Sequence, residues 1–273
     1  MRLAAQFYAS PPIALLAFVW CVAPPAEAAP VWVDQRHIGP FMVQATFDLS
    51  PHHQLLQELP ALELELRRVL ALRPCSEPIE LVLLADEREH RAYLAERFPA
   101  APYRRALFVR QNGRSTVFAY QHKELAIDIR HECTHALLHA DLAGLPLWLD
   151  EGLAEYFEMP ANERAFGHPH LASIRWRTRL RLPINLSVLE QKDELSEMEL
   201  ADYRLSWCWV HFLLHGPRPA SEALWSYLGD IRRGEQAGAL SDRLEATLPN
   251  TEHRLANHFR GWDRLSLKKT TAR

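Results

Sequence analysis

The sequence predicts an α+β fold, with a mixed α/β N-terminal part that contains a β-hairpin and a mainly α-helical C-terminal part. Three observations carry this. Two short runs rich in apolar and β-branched residues, 41–47 and 79–84, flank an amphipathic stretch over 54–72. Two further runs, 106–111 and 114–120, flank Asn112-Gly113, a dipeptide that tolerates positive φ at both turn positions and so marks a tight hairpin. After Tyr120 the apolar spacing changes to the helical period and keeps it.

In chain order the elements are a strand over 41–47, a helix over 54–72, a strand over 79–84, a shorter helix over 88–97 and the hairpin. Helices then follow over 124–142, 147–158, 201–215, 221–233 and 251–262, separated by Gly and Pro. Residues 159–200 read as a long loop with short helical pieces. The hairpin strand 115–120 is expected to offer an edge to which an extended peptide adds.

The ends read differently. Arg2, an apolar run over 13–23, Pro24-Pro25 and the small-x-small Ala26-Glu27-Ala28 have the form of a signal peptide over residues 1–29. That form predicts an exported protein, periplasmic or extracellular, with an uncleaved signal anchor as the alternative. The run is too short to span a bilayer, so no membrane span is expected after cleavage. Removal of the leader takes Cys21 with it and leaves Cys75, Cys133 and Cys208, an odd number whose pairing sequence leaves open. The expected domain plan is an α/β lobe over 30–123, a helical lobe over 124–264 and a disordered polar tail over 265–273. Oligomeric state is left open.

Of the 273 residues 48% are hydrophobic, enough for one substantial core, and the formal net charge is −3. An acidic balance gives no footprint for a polyanion, so nucleic acid is not an expected partner. The basic run Arg175, Arg177, Arg179 and Arg181 reads as a solvated face or a salt-bridged helix end.

The chemistry lies in His131-Glu132-Cys133-Thr134-His135. On a helix the two histidines stand at i and i+4 on one face and reach a single metal ion, while Glu132 is placed to activate a water without coordinating. Cys133 points away and reads as a core residue. A catalytic zinc takes three protein ligands and keeps one position for water. The segment 146–157, Pro-Leu-Trp-Leu-Asp-Glu-Gly-Leu-Ala-Glu-Tyr-Phe, offers the third. Gly144 ends one helix and Pro146 starts the next, so the chain turns back and brings Glu151 to the height of His135. Glu155, one turn on, shares that face and is expected to accept a hydrogen bond from a ligand histidine. His139 reads as a helix-surface residue, and Trp148, Phe157, Trp207 and Trp209 as packing.

HECTH followed by LPLWLDEGLAEYFE resembles the gluzincin zinc metallopeptidases, in particular the peptidase MA-like group with its W-L-x-E-G-x-A-E-Y-F helix. About thirty residues carry the likeness well. It implies a thermolysin-like catalytic core, one Zn2+ held by His131, His135 and Glu151, Glu132 as general base, Glu155 as a supporting acid, and a peptide or protein substrate. A later helix in such enzymes supplies an oxyanion donor, for which Tyr203 is the match and His211 the reserve. Two features depart from the family. The strand 116–120 lacks the G-x-M-E-N element that captures a free amine, and the spacing from His135 to Glu151 is shorter than in thermolysin-like members. Against hydrolysis stands a non-catalytic metal-binding module of a retired peptidase fold that binds a cell-envelope or protein partner. Such a module has no need of Glu132. An intracellular interaction domain whose leader is a buried helix is the other rival.

Overall fold

A computed structural model describes residues 30–262. The leader expected over 1–29, with Cys21, and the tail expected over 265–273 lie outside these residues. The elements run β1 (Asp34–Ile38), β2 (Phe41–Ala45), α1 (His53–Leu70), β3 (Ile79–Leu84), α2 (Glu87–Arg97), β4 (Ala106–Gln111), β5 (Arg114–Tyr120), α3 (Leu125–Asp141), α4 (Leu147–Phe157), α5 (His170–Arg179), α6 (Leu186–Leu189), α7 (Leu200–His215), α8 (Arg218–Arg232), α9 (Leu240–Thr247) and α10 (Thr251–Gly261). The α+β reading holds. Among the described residues no helix is long and apolar enough to cross a membrane.

Five strands form one mixed sheet in the order β1-β2-β3-β5-β4. The inner pairs, β2 with β3 and β3 with β5, are parallel, and both outer pairs are antiparallel. The hairpin turn takes positive φ at Asn112 and Gly113, as the dipeptide requires. One expectation is corrected here. Strand 114–120 has no free edge, because β5 pairs with β3 on one side and β4 on the other. The free edge belongs to β4, since the parallel crossover through α2 seats β3 beside β5. Residues unread as strand form β1, whose half-exposed polar side chains hide the alternation of an edge strand. Between 159 and 200 the chain forms α5 and α6, and α9 fills the stretch before α10.

Alternation along the strands divides the packing. Leu81, Leu83, Val117 and Ala119 face the main core with α1 and α3, whereas Val82, Leu84 and Phe118 turn to the other side and pack with Leu94 of α2. The main core continues without a break through α4, α7, α8 and α10. From Trp32 to Trp262 the chain is one compact unit, so the sheet part and the helical part share a core. Trp148, Phe157, Trp207 and Trp209 are fully buried within it, as packing residues should be. Cys133 and Cys208 are buried free thiols, and Cys75 is free as well.

Helix α4 is apolar nearly all round because it lies between α3 and α7. Its closest approach to α7 is at Gly152, where an added Cβ would stand 2.7 Å from the carbonyl oxygen of Ser206 and 2.9 Å from a methyl of Val210. The first of these contacts is backbone and cannot swing aside. Gly152→Ala should therefore cost about 1–3 kcal/mol of stability, read as a lower urea midpoint at unchanged slope. A midpoint equal to wild type would show that α7 is free to slide.

At the far end of α7 a histidine cluster closes the core. Tyr156 donates its hydroxyl to His215 Nε2 at 2.7 Å, and His258 Nε2 donates to His211 Nδ1 at 3.1 Å. His211 Nε2 in turn donates to the carbonyl of Ala165 at 3.1 Å. Burial holds His215 and His258 down to about 4 and His211 well below its usual value, with the neighbouring histidines acting in the same direction on His211 and His258. Each is folded in the neutral form, so its contribution is present above the unfolded value near 6.5 and is lost as pH falls towards 4. Unfolding free energy should thus decline steeply between pH 6.5 and 4, by up to about 1.4 kcal/mol per pH unit for each such histidine. Urea titrations at stepped pH measure it, and a flat profile across that window would contradict neutral burial.

Candidate metal centre

Helices α3 and α4 are the arms of a hairpin. Helix α3 ends at Asp141, Gly144 takes φ +79° in the connection, and Pro146 precedes the first turn of α4. Asp141 locks that end by accepting from the backbone N–H and guanidinium of Arg73 and from Arg232 at 2.9 Å. At the opposite end Arg130, buried on α3, donates to the carbonyl of Glu158 and, at 3.0 Å, to the carboxylate of Glu58 on α1. Relative sliding of α3 and α4 would break the bond from Arg130 to Glu158, while Asp141 ties the other end of α3 to Arg73 and to α8.

The result places His131, His135 and Glu151 together. His131 Nε2 lies 3.3 Å from His135 Nε2, and the Glu151 Oε2 is 3.6 Å from the first and 3.9 Å from the second. Donors at about 2.0–2.1 Å from a tetrahedral ion stand roughly 3.3 Å apart, so the triangle is the size of one face of a zinc site. The donor chemistry agrees with the geometry. Each ring gives its other nitrogen to a carboxylate: His131 Nδ1–H to Glu158 Oε2 at 3.0 Å, and His135 Nδ1–H to Asp150 Oδ1 at 2.9 Å. That tautomer leaves both Nε2 lone pairs aimed at each other and at a carboxylate oxygen. Three acceptors so placed repel one another unless a cation or proton stands between them.

Protonation preferences record the same strain. Burial works against the charged form of His131, yet its hydrogen bonds to Glu151 and Glu158 and the charge of Glu132 carry it well above its ordinary value. His135 is likewise raised, its burial outweighed by Asp150 and Glu151. Asp150 is held far below the carboxylate range, because His135 and His139 overcome its own burial. A metal binding here displaces protons.

Sequence reasoning assigned the supporting hydrogen bond to Glu155. In the structure Glu155 Oε2 accepts instead from His170 Nε2 at 2.9 Å, and the two candidate ligand histidines, His135 and His131, are held by Asp150 and Glu158. Asp150 precedes the third donor and Glu158 lies two turns beyond it, positions whose reach depends on how α4 crosses α3. Asp150 also accepts from His139 Nε2 at 2.8 Å, so His139 clasps the carboxylate that orients His135. Other His and acid groups also lie close enough to hold an ion, among them Glu155 with His168 and His170. His168, however, has both ring nitrogens engaged, Nε2 donating to the Glu155 carbonyl and Nδ1 accepting from the His170 N–H.

A cleft of about 260 Å³ opens over the triad, walled by Arg104, Leu107, Phe108, Leu147, Leu195 and Tyr203. Glu132 is in its floor, one oxygen accepting the backbone N–H of Phe108 at 2.8 Å. Tyr203 stands on the first turn of α7 at the cleft wall. Burial and the charge of Glu151 raise its pKa, with Arg104 opposing, so it remains a hydroxyl donor at neutral pH. His211, two turns along α7, lies in the histidine cluster and does not line the cleft, because α7 turns that face to α10. No protein-family model matches the chain, and no curated protein matches it.

Removing an orienting carboxylate frees a ring to turn. Asp150→Asn and Glu158→Gln should each weaken the affinity of this site for a divalent metal ion, probed with Zn2+, about 10–100-fold, and Glu151→Ala should weaken it further. Competition with a chromophoric chelator measures all three. Unchanged affinity in Glu151→Ala would remove it from the ligand set.

Proposed function

We propose that this chain is a zinc-dependent peptidase with a gluzincin-type, thermolysin-like catalytic core. The observation that supports it best is the convergence of two imidazole lone pairs and the Glu151 carboxylate in a cleft whose floor also holds Glu132, a carboxylate not needed for coordination. Zinc suits two nitrogens and one oxygen at this separation. The form of residues 1–29 supports export of the enzyme.

When bound, zinc supplies Lewis acidity towards a carbonyl and brings the pKa of a coordinated water to about 7. The remaining steps fall to the protein. Outer strand β4 pairs with β5 through alternate residues, so Phe108 turns its N–H away from the sheet, towards Glu132. A peptide adding to this edge takes the Phe108 N–H and leaves the Glu132 carboxylate free to accept a proton from the attacking water. Glu132 then returns that proton to the leaving amine. Tyr203 donates its hydroxyl to the oxygen on which negative charge develops. A binding module would have no use for a base at this point in the cleft.

Glu132→Gln should lower peptide hydrolysis by about 10²–10⁴-fold while zinc content stays near one ion per chain. Tyr203→Phe should lower kcat by about 10²–10³-fold with little change in KM. Steady-state kinetics with elemental analysis of the same preparations test both. Loss of zinc in Glu132→Gln would make it a ligand, hydrolysis surviving that substitution would remove Glu132 as the base, and absence of hydrolysis by the zinc-replete wild type would end the peptidase reading.

A further inference from the structure

Arg104 is the one Lys or Arg in the cleft wall. Its neighbour Arg105 is fully engaged, donating to Asp128 at 2.6 Å with both Nε and Nη2 and also to Glu124. Arg104 forms neither a hydrogen bond nor an ion pair among the described residues, although it lies near enough for its charge to act on Tyr203. An exposed arginine is ordinarily solvated and carries no message. This one sits two residues before the free edge strand, with its side chain lining the same cleft as His131, Glu132 and Glu151.

Strand direction says what it meets. Antiparallel addition to β4 is the more stable pairing, and it makes the peptide run from Arg110 towards Ala106 as it goes from N to C. With the scissile carbonyl beside Glu132 and Phe108, residues on the leaving-amine side pass Ala106 towards Arg104. From Phe108 to Ala106 is two residues, roughly 7 Å of strand; there β4 ends, the chain bends at Arg105, and the Arg104 side chain lines the cleft at that end. The group reached lies about two residues beyond the scissile bond. A planar guanidinium with free donors takes a carboxylate there in bidentate fashion.

We infer that Arg104 is a specificity-determining residue that binds a substrate carboxylate about two residues to the C-terminal side of the cleaved bond. This rests on the peptidase reading above. The carboxylate has two possible sources, a free chain terminus or an Asp or Glu side chain.

Three quenched fluorescent peptides of one sequence separate the sources: one ending as a free acid two residues after the cleaved bond, its C-terminal amide, and the amide with Asp at that position. Wild type should cleave at least one carboxylate-bearing peptide about tenfold or more faster in kcat/KM than the plain amide. In Arg104→Ala the ratio should fall towards one, and Arg104→Lys should restore part of it. The same preference should appear without turnover, as about tenfold tighter binding of the carboxylate peptide to zinc-loaded Glu132→Gln in fluorescence anisotropy, lost when Arg104→Ala is added. Preference for the free acid assigns the chain terminus, and preference for the Asp amide assigns a side chain. Equal cleavage of all three by wild type, or a preference untouched in Arg104→Ala, overturns the role of Arg104 and leaves the peptidase reading standing. No cleavage of any peptide by zinc-replete wild type overturns both.

Discussion

Two imidazole nitrogens and a carboxylate oxygen held 3.3 to 3.9 Å apart, all with lone pairs directed inward, form the constraint on which the rest of this structure depends. Like partial charges at that distance repel in any medium, and more so where water is displaced by a buried wall. The protein pins them nonetheless. Glu158 and Asp150 take the outer N–H of each ring, which removes the simplest relief, a ring flip that would turn an N–H inward. A cation relieves the repulsion, and the carboxylates around the pair, Glu151 and Glu158 at His131 and Asp150 and Glu151 at His135, overcome burial and favour the charged form of each ring.

Such a centre requires helices that cannot drift. Arg130 fastens α3 to the end of α4, Asp141 fastens the other end of α3 to Arg73 and to α8, and Gly152 lets α7 close on the back of α4. The glycine follows Glu151 directly, so the residue that turns a carboxylate towards His131 and His135 on one side of α4 neighbours the one that admits α7 on the other. Close packing behind the ligand fixes its rotamer in front. The same α7 brings Tyr203 to the cleft at its first turn and the neutral histidine cluster to the core at its last.

Much of this was legible in the residues. Helical spacing across His131 to His135, Gly144 and Pro146 at the turn, and similar path lengths down α3 and up α4 sufficed to bring Glu151 to the histidines, because those quantities are local. The hairpin, β3 and the long helices were local too. What failed to show depended on how elements cross. Glu155 shares the helix face of Glu151 but lies against His170, a contact set by α5, which begins in a stretch whose helical content was read only as short pieces. Glu158 reaches His131 from just past the end of α4, where side-chain direction no longer follows helical spacing. Strand β1 escaped notice because an edge strand need not alternate, and β5 was taken for an edge because a hairpin alone does not say which of its strands meets the rest of the sheet.

That last point bears on chemistry as much as on topology. With β4 outermost, the backbone group nearest the base is the Phe108 N–H, and Glu132 is its acceptor. Under the proposed peptidase reading, a peptide strand and the Glu132 carboxylate would compete for one donor, and pairing by the first would release the second. The edge thus does more than align a chain. On the proposed peptidase reading, it would hold Glu132 engaged while no strand is paired and make its release depend on backbone pairing at the same residue, so that recognition of an extended peptide and readiness of the base would be a single event. A ligand that filled the cleft without pairing to β4 would leave Glu132 tied to the strand.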